Sequence, residues 1–169
     1  MKGARAAPLL LLAALLMSCS SVVVKSDFDP AANFAQYKTF DFLPHPAKPG
    51  ANPFNQKRIE AAVEQTLVGR GFQKQESGRP DLLIAYHTNV RDKIDVDTYG
   101  YRYGRYGRRV GTYTTVREYQ QGTLVIDFVD AQSKELVWRG WAKGEVNDSV
   151  SKEKIDDTVA KILDKYPPQ

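Results

Sequence analysis

The sequence predicts an α+β fold: a two-layer domain in which two helices pack on one face of a mostly antiparallel sheet. Three observations carry this. Two segments, around 58–72 and 152–166, set apolar residues along a single helical stripe. Several others alternate apolar and polar residues at the period of a half-buried strand. The order, β-β-α-β, a loop, then β-β-α, favours hairpins over strict strand–helix alternation.

The first strand is expected over 22–28, where Val22, Val23 and Val24 are β-branched and Asp29-Pro30 ends the run. A second covers 37–43, with Phe40 and Phe42 on one face. Four prolines over 44–53 make that segment a loop. Asn52 then caps a helix that has Pro53 in its first position. Its stripe is Ile59, Ala62, Val63, Thr66 and Leu67, closed by Gly69 and Gly71, with Phe72 packing back beneath the last turn. A third strand runs over 82–90. After an unusual segment at 99–113, strands at 114–119 and 123–129 follow, and a polar turn at 130–134 leads to a partner strand at 135–146. Trp138 and Trp141 fall on opposite faces of that last strand because their spacing is odd. One of them is expected in the core and the other across an exposed sheet face. Ser151 or Ser149 caps the final helix, whose stripe is Ile155, Val159, Ile162, Leu163 and Tyr166. Glu153, Asp156 and Asp157 near its start, with Lys161 and Lys165 near its end, suit the helix dipole.

The N-terminus bears Lys2 and Arg5 before an apolar run over 6–17 that is too short to span a bilayer. It ends in Leu16-Met17-Ser18-Cys19, which resembles the lipobox of bacterial lipoproteins, although Met17 departs from the commoner small residue. Cys19 is the one cysteine of the chain and has no disulfide partner within it. Acylation accounts for it; an ordinary signal peptide with an incidental cysteine is the alternative. The expected organisation is a signal peptide over 1–18, a lipidated tether over 19–21 and one domain over 22–168. Ser20 after the cysteine looks like the signal for the outer membrane of a Gram-negative envelope, facing the periplasm. Losing Lys2 and Arg5 leaves 22 basic and 20 acidic residues, and a net charge of +2 argues for no particular partner.

The segment 99–113 holds five tyrosines, four arginines and four glycines. Nothing in it can build a core, so it reads as a surface loop or a hairpin extension. Its tyrosines Tyr99, Tyr101, Tyr103 and Tyr106 can stack on sugars. Its arginines Arg102, Arg105, Arg108 and Arg109 can grip phosphate or carboxylate. Behind a secretion signal, nucleic acid is not the expected partner. An envelope protein, an anionic lipid or a glycan fits better, and salt sensitivity would mark binding through the arginines. Trp141, Tyr86 or nearby aromatics offer an alternative small-ligand or cell-wall-glycan site. Catalysis is not expected. His45 lies in a proline-rich loop, His87 on a strand, and Asp81, His87 and Asp127 form the best constellation available, with nothing requiring them to converge. No metal-ligand spacing, nucleophile elbow, P-loop or dinucleotide fingerprint occurs, so no cofactor or metal is expected.

Five segments together resemble the bacterial lipoprotein family with domain of unknown function 4136. They are YKTFDF (37–42), RIEAAVEQTLVGRGF (58–72), PDLLIAYH (80–87), GTLVIDFVDAQSKELVWRGWAKGEV (122–146) and AKILDKYPP (160–168). The resemblance implies an envelope lipoprotein with an α+β domain. It brings no catalytic residues, cofactor or substrate. It also implies a variable Gly- and aromatic-rich insert where 99–113 sits.

Overall fold

The computed structural model describes residues 22–44, 52–103, 109–147 and 150–167; Cys19, Ser20, His45, Arg105, Tyr106 and Arg108 lie outside them. The fold is α+β. Its strands are β1 (Val23–Phe28), β2 (Thr39–Phe42), β3 (Gln73–Lys74), β4 (Leu82–Tyr103), β5 (Arg109–Asp130) and β6 (Leu136–Val146), and its helices are α1 (Pro53–Gly69) and α2 (Lys152–Leu163). One six-stranded sheet has the order β1-β6-β5-β4-β2-β3.

The sheet is mixed, where the sequence pattern suggests a mostly antiparallel one. β1/β6, β6/β5 and β5/β4 are antiparallel, but β2 runs parallel to both β4 and β3. The cause is α1. A helix between two neighbouring strands carries the chain back to where it started, so the next strand runs parallel. The short β3 and the 3-10 turn Phe34–Gln36 are too short to leave a periodic trace in sequence.

Both helices form where their caps predict. The Asn52 side chain accepts the Phe54 N–H at 2.9 Å, and Ser151 Oγ accepts the Lys154 N–H at 3.2 Å. Gly71 adopts φ 88°, the left-handed conformation that ends α1, and the Phe72 N–H returns to the Leu67 carbonyl. Ile59, Val63 and Leu67 of α1 join Ile155, Val159, Ile162 and Leu163 of α2 in one core. Phe40, Leu82, Ile84, Ile126, Phe128 and Trp138 complete it from the sheet. At its far end Tyr166 meets Phe128 and Trp138 edge to face, with ring centres 4.6 and 5.4 Å apart.

The largest departure from the sequence reading is the length of β4 and β5. Strands expected over 82–90, 114–119 and 123–129 are parts of two strands of 22 residues each, in unbroken register from Leu82↔Asp130 to Tyr103↔Arg109. Backbone 99–103 and 109–113 belongs to this ladder, so the Tyr/Gly/Arg segment extends a hairpin. β6 accompanies it only as far as the pair Gln120↔Val146.

Candidate functional site

Three features stand outside the core. The first is a charged row on the side of β5 and β6 that faces away from the core stripe. Asp127 is 4% exposed, the one polar side chain buried among the described residues. Both its oxygens accept from Arg139, Oδ1 from Nε and Oδ2 from Nη2, each at 2.6 Å, and His87 Nε2 lies 3.9 Å from Oδ2. The direct cross-strand pair Asp127↔Arg139 positions the fork, and it raises the Arg139 pKa. His87 and Asp127 therefore do meet.

Asp81 does not join them. Its carboxylate accepts the backbone N–H groups of Lys38 and Thr39, each at 2.8 Å, fastening β2 beside the start of β4. Asp81 is thus engaged as a backbone acceptor and Asp127 is forked to a guanidinium, so the three residues do not form one constellation. Among the described residues no three His, Cys, Asp or Glu side chains cluster closely enough to hold a metal.

Trp141 lies one row further along, between Lys25 of β1 and Val125 of β5, and is half-buried; Trp138, on the opposite face, is fully buried. Tyr86 is also buried, its hydroxyl donating to Glu60 at 2.8 Å, and burial followed by that hydrogen bond pushes its pKa up. Tyr86 and Trp141 therefore face opposite sides of the sheet and cannot line one site.

The second feature is a cleft of about 410 Å³ where the N-terminal ends of α1 and α2 meet the base of the long hairpin. Its polar lining is mainly amides and hydroxyls, with Asn52, Gln56, Asn89, Gln120 and Thr158 among them, and no aromatic ring lines it. It owes its room to small residues. A Cβ on Gly122 would stand 2.5 Å from Val146 Cγ1.

The third feature is the hairpin beyond Gln120, an arm two strands wide. Alternation gives it two unlike faces. Val90, Ile94, Val96 and Val116 share the parity of the core residues Leu82, Ile84 and Tyr86, and each is more than half exposed, with Asp92, Glu118 and Gln120 interspersed among them on the same face. Arg91, Lys93, Asp95, Asp97, Arg117 and Tyr119 have the other parity. Arg117 braces the arm base against Glu145 of β6 at 2.6 Å. Of the residues expected to bind a partner, Tyr99, Tyr101, Arg102 and Tyr103 lie on β4 and Arg109 on β5, near the outer end of this arm. Its apolar face was missed in the sequence. The trace was there in Ile94 and Val96 alternating with Lys93, Asp95 and Asp97.

No curated protein matches the chain. Among solved structures, a PDZ domain protein from Parabacteroides distasonis is similar in fold, with a TM-score of 0.61 and 18% identity over 88% of this chain. The match covers 36% of that protein, so the chain spans about a third of its length. A PelC dodecamer from Paraburkholderia phytofirmans is also similar, with a TM-score of 0.51 and 14% identity over 84% of this chain and 95% of that one. Residues 24–168 match the family described as Domain of unknown function (DUF4136), the same family the sequence segments resemble. The chain belongs to that family.

Proposed function

We propose that this protein is a lipid-anchored component of the bacterial cell envelope, acylated at Cys19 and held on the periplasmic side of the outer membrane. There it binds or scaffolds another envelope component without catalysis. In this reading the body is a two-layer platform with both helices on one sheet face, and the β4–β5 arm is the recognition element. The arm carries the proposal. A two-stranded ribbon with both edges open and exposed valine and isoleucine on one face is marginally stable by itself in water, and it gains most from a partner that covers it. The arginine- and tyrosine-rich composition of 99–113 adds affinity for anionic groups.

A small-ligand or glycan-binding role is the competing reading, and the cleft at the helix N-termini favours it. Its amide lining suits a neutral polar ligand. In the aromatic version of that role Trp141, half-buried on the face away from the core, is the available ring, since Tyr86 is buried.

In-cell photo-crosslinking with the probe at Tyr106 tests the arm. A discrete adduct that disappears when Arg102, Arg105, Arg108 and Arg109 are all changed to Ala supports recognition through the arm. No adduct at Tyr106 or at Ile94, with an adduct at Asn89 in the cleft, would move the site to the helix N-termini.

A further inference from the structure

The outer edge of β4 is left open along most of its length. β2 pairs with β4 only from Leu82 to Ile84, and among the described residues no strand lies against that edge from Ala85 to Thr98. Every second residue of a strand turns its N–H and C=O to the same side, so a row of backbone donors and acceptors faces outward there. The side chains along it, Arg91-Asp92-Lys93-Ile94-Asp95-Val96-Asp97, are all exposed. Arg91, Lys93, Asp95 and Asp97 share the face turned away from the core stripe. None of the four has an ion-pair partner among the described residues. Arg117, opposite Asp95 across the hairpin, is committed to Glu145.

These charges invert in sign about Ile94: Lys93 is answered by Asp95, and Arg91 by Asp97. Two copies pairing antiparallel through this edge are related by a two-fold axis perpendicular to the sheet, which keeps like faces together and falls on a residue. With the axis at Ile94, Lys93 stands opposite Asp95 of the second copy and Arg91 opposite its Asp97, and symmetry makes each pair twice. On the other face Ile94 meets its own counterpart, Asp92 faces Val96 and Val90 faces Thr98, so no acid opposes an acid. The neighbouring axes, at Asp92, Lys93, Asp95 or Val96, each set like charges directly opposite one another, which is destabilising. The edge of β5 beyond Gln120, with Thr114, Thr115, Val116, Arg117 and Glu118, has no such inversion. Charges on an edge strand often serve to repel other chains. A row of one sign would do that, whereas this row attracts its own reverse.

We infer that the open edge of β4 takes a second copy of this chain, the two strands pairing antiparallel through residues 90–98 about Ile94 and joining both arms into one wider ribbon. Backbone groups along the edge supply the attraction, as in other strand additions, and the inverted charge row selects the partner and fixes the register. Exposed ion pairs are individually weak. The pairing therefore belongs to copies concentrated on one surface, and it rests on the anchoring at Cys19 proposed above. A two-fold axis perpendicular to the sheet leaves the two N-terminal ends at one level, as two anchors in one membrane require.

The test uses the full chain, exported in cells, carrying Ile94→Cys and oxidised with copper phenanthroline in the membrane fraction. The unaltered chain is the blank for Cys19, and Val116→Cys, on β5 and away from the edge, is the control for chance collision. The expected result is a covalent dimer from Ile94→Cys at several-fold higher yield than from Val116→Cys. Adding Lys93→Asp opposes two acids in both symmetric pairs and is expected to cut that yield several-fold. Adding Asp95→Lys as well restores both pairs in reverse, and the yield is expected to return. A yield indifferent to the charge reversal, or equal yields at 94 and 116, would overturn the inference. So would an Ile94→Cys adduct of another mass, which would put a different protein on the edge. Absence of any covalent dimer overturns it too, and the intact mass of the same sample separates a chain left unacylated at Cys19 from acylated copies that do not pair.

Discussion

At Asp81 one carboxylate holds two strands together. It accepts from Lys38 and Thr39, while its own N–H donates to Thr39 Oγ1 at 2.9 Å. Asp81→Ala leaves two amides at the start of β2, those of Lys38 and Thr39, without that acceptor, and a loss of about 1–3 kcal/mol is expected in urea unfolding. Partial burial pushes the Asp81 carboxyl up, but the hydrogen bonds outweigh it and hold the pKa below its ordinary value. Asp130 is held low mainly by the Ser133 N–H, assisted by the Tyr37 hydroxyl. A carboxyl with a depressed folded-state pKa contributes stability that is present above its unfolded value and lost as pH falls through the folded one. The urea midpoint is therefore expected to drop between about pH 5 and about pH 2, less steeply in Asp81→Asn. Arg139→Ala strands the buried Asp127 carboxylate, though Arg139 is itself half exposed. A loss of about 1–3 kcal/mol is expected, and Arg139→Lys, which cannot form the fork, should recover only part of it. These partners were not legible in sequence. A cap is local, so Asn52 and Ser151 could be named in advance. Asp127 finds Arg139 only through the register of β5 on β6.

Elements were legible in proportion to how local their causes are. The stripes of α1 and α2 and the turn at 130–134 each rest on contacts within a few residues, and each stands where the pattern puts it. In that turn the Asp130 carboxylate accepts the N–H groups of Gln132 and Ser133. The parallel placement of β2 depends on a crossover that no strand pattern records. The outer half of β4 was hidden because charge-rich alternation such as Lys93-Ile94-Asp95-Val96-Asp97 buries nothing and resembles a loop in composition. Helix seating gives a sharp test. A Cβ on Gly140 would collide with the Trp138 indole and stand 2.6 Å from Ile162 Cγ2, so α2 rests on β6 there. Gly140→Ala is expected to cost about 1–3 kcal/mol by overpacking and to lower the thermal midpoint. An unchanged midpoint would mean that the helix can ride higher without loss.

For the whole molecule, core and arm are separable. Among the described side chains every fully buried large one lies outside 91–119, so the described part of the arm contributes no core. Replacing residues 93–119 by Asn-Gly, a favoured two-residue hairpin turn, is expected to leave the cooperative thermal transition of the body nearly unchanged. Collapse of the body would show that the arm supports the fold. The most direct measurement is hydrogen exchange of the arm amides in two samples, the acylated protein in its native envelope membranes and the Cys19→Ala protein free in solution. If the arm is the recognition element, its amides exchange quickly in solution, as an open-edged ribbon should, and are strongly slowed in the envelope membranes while the core amides stay the same. Identical arm exchange in the two samples would contradict that claim and return attention to the cleft.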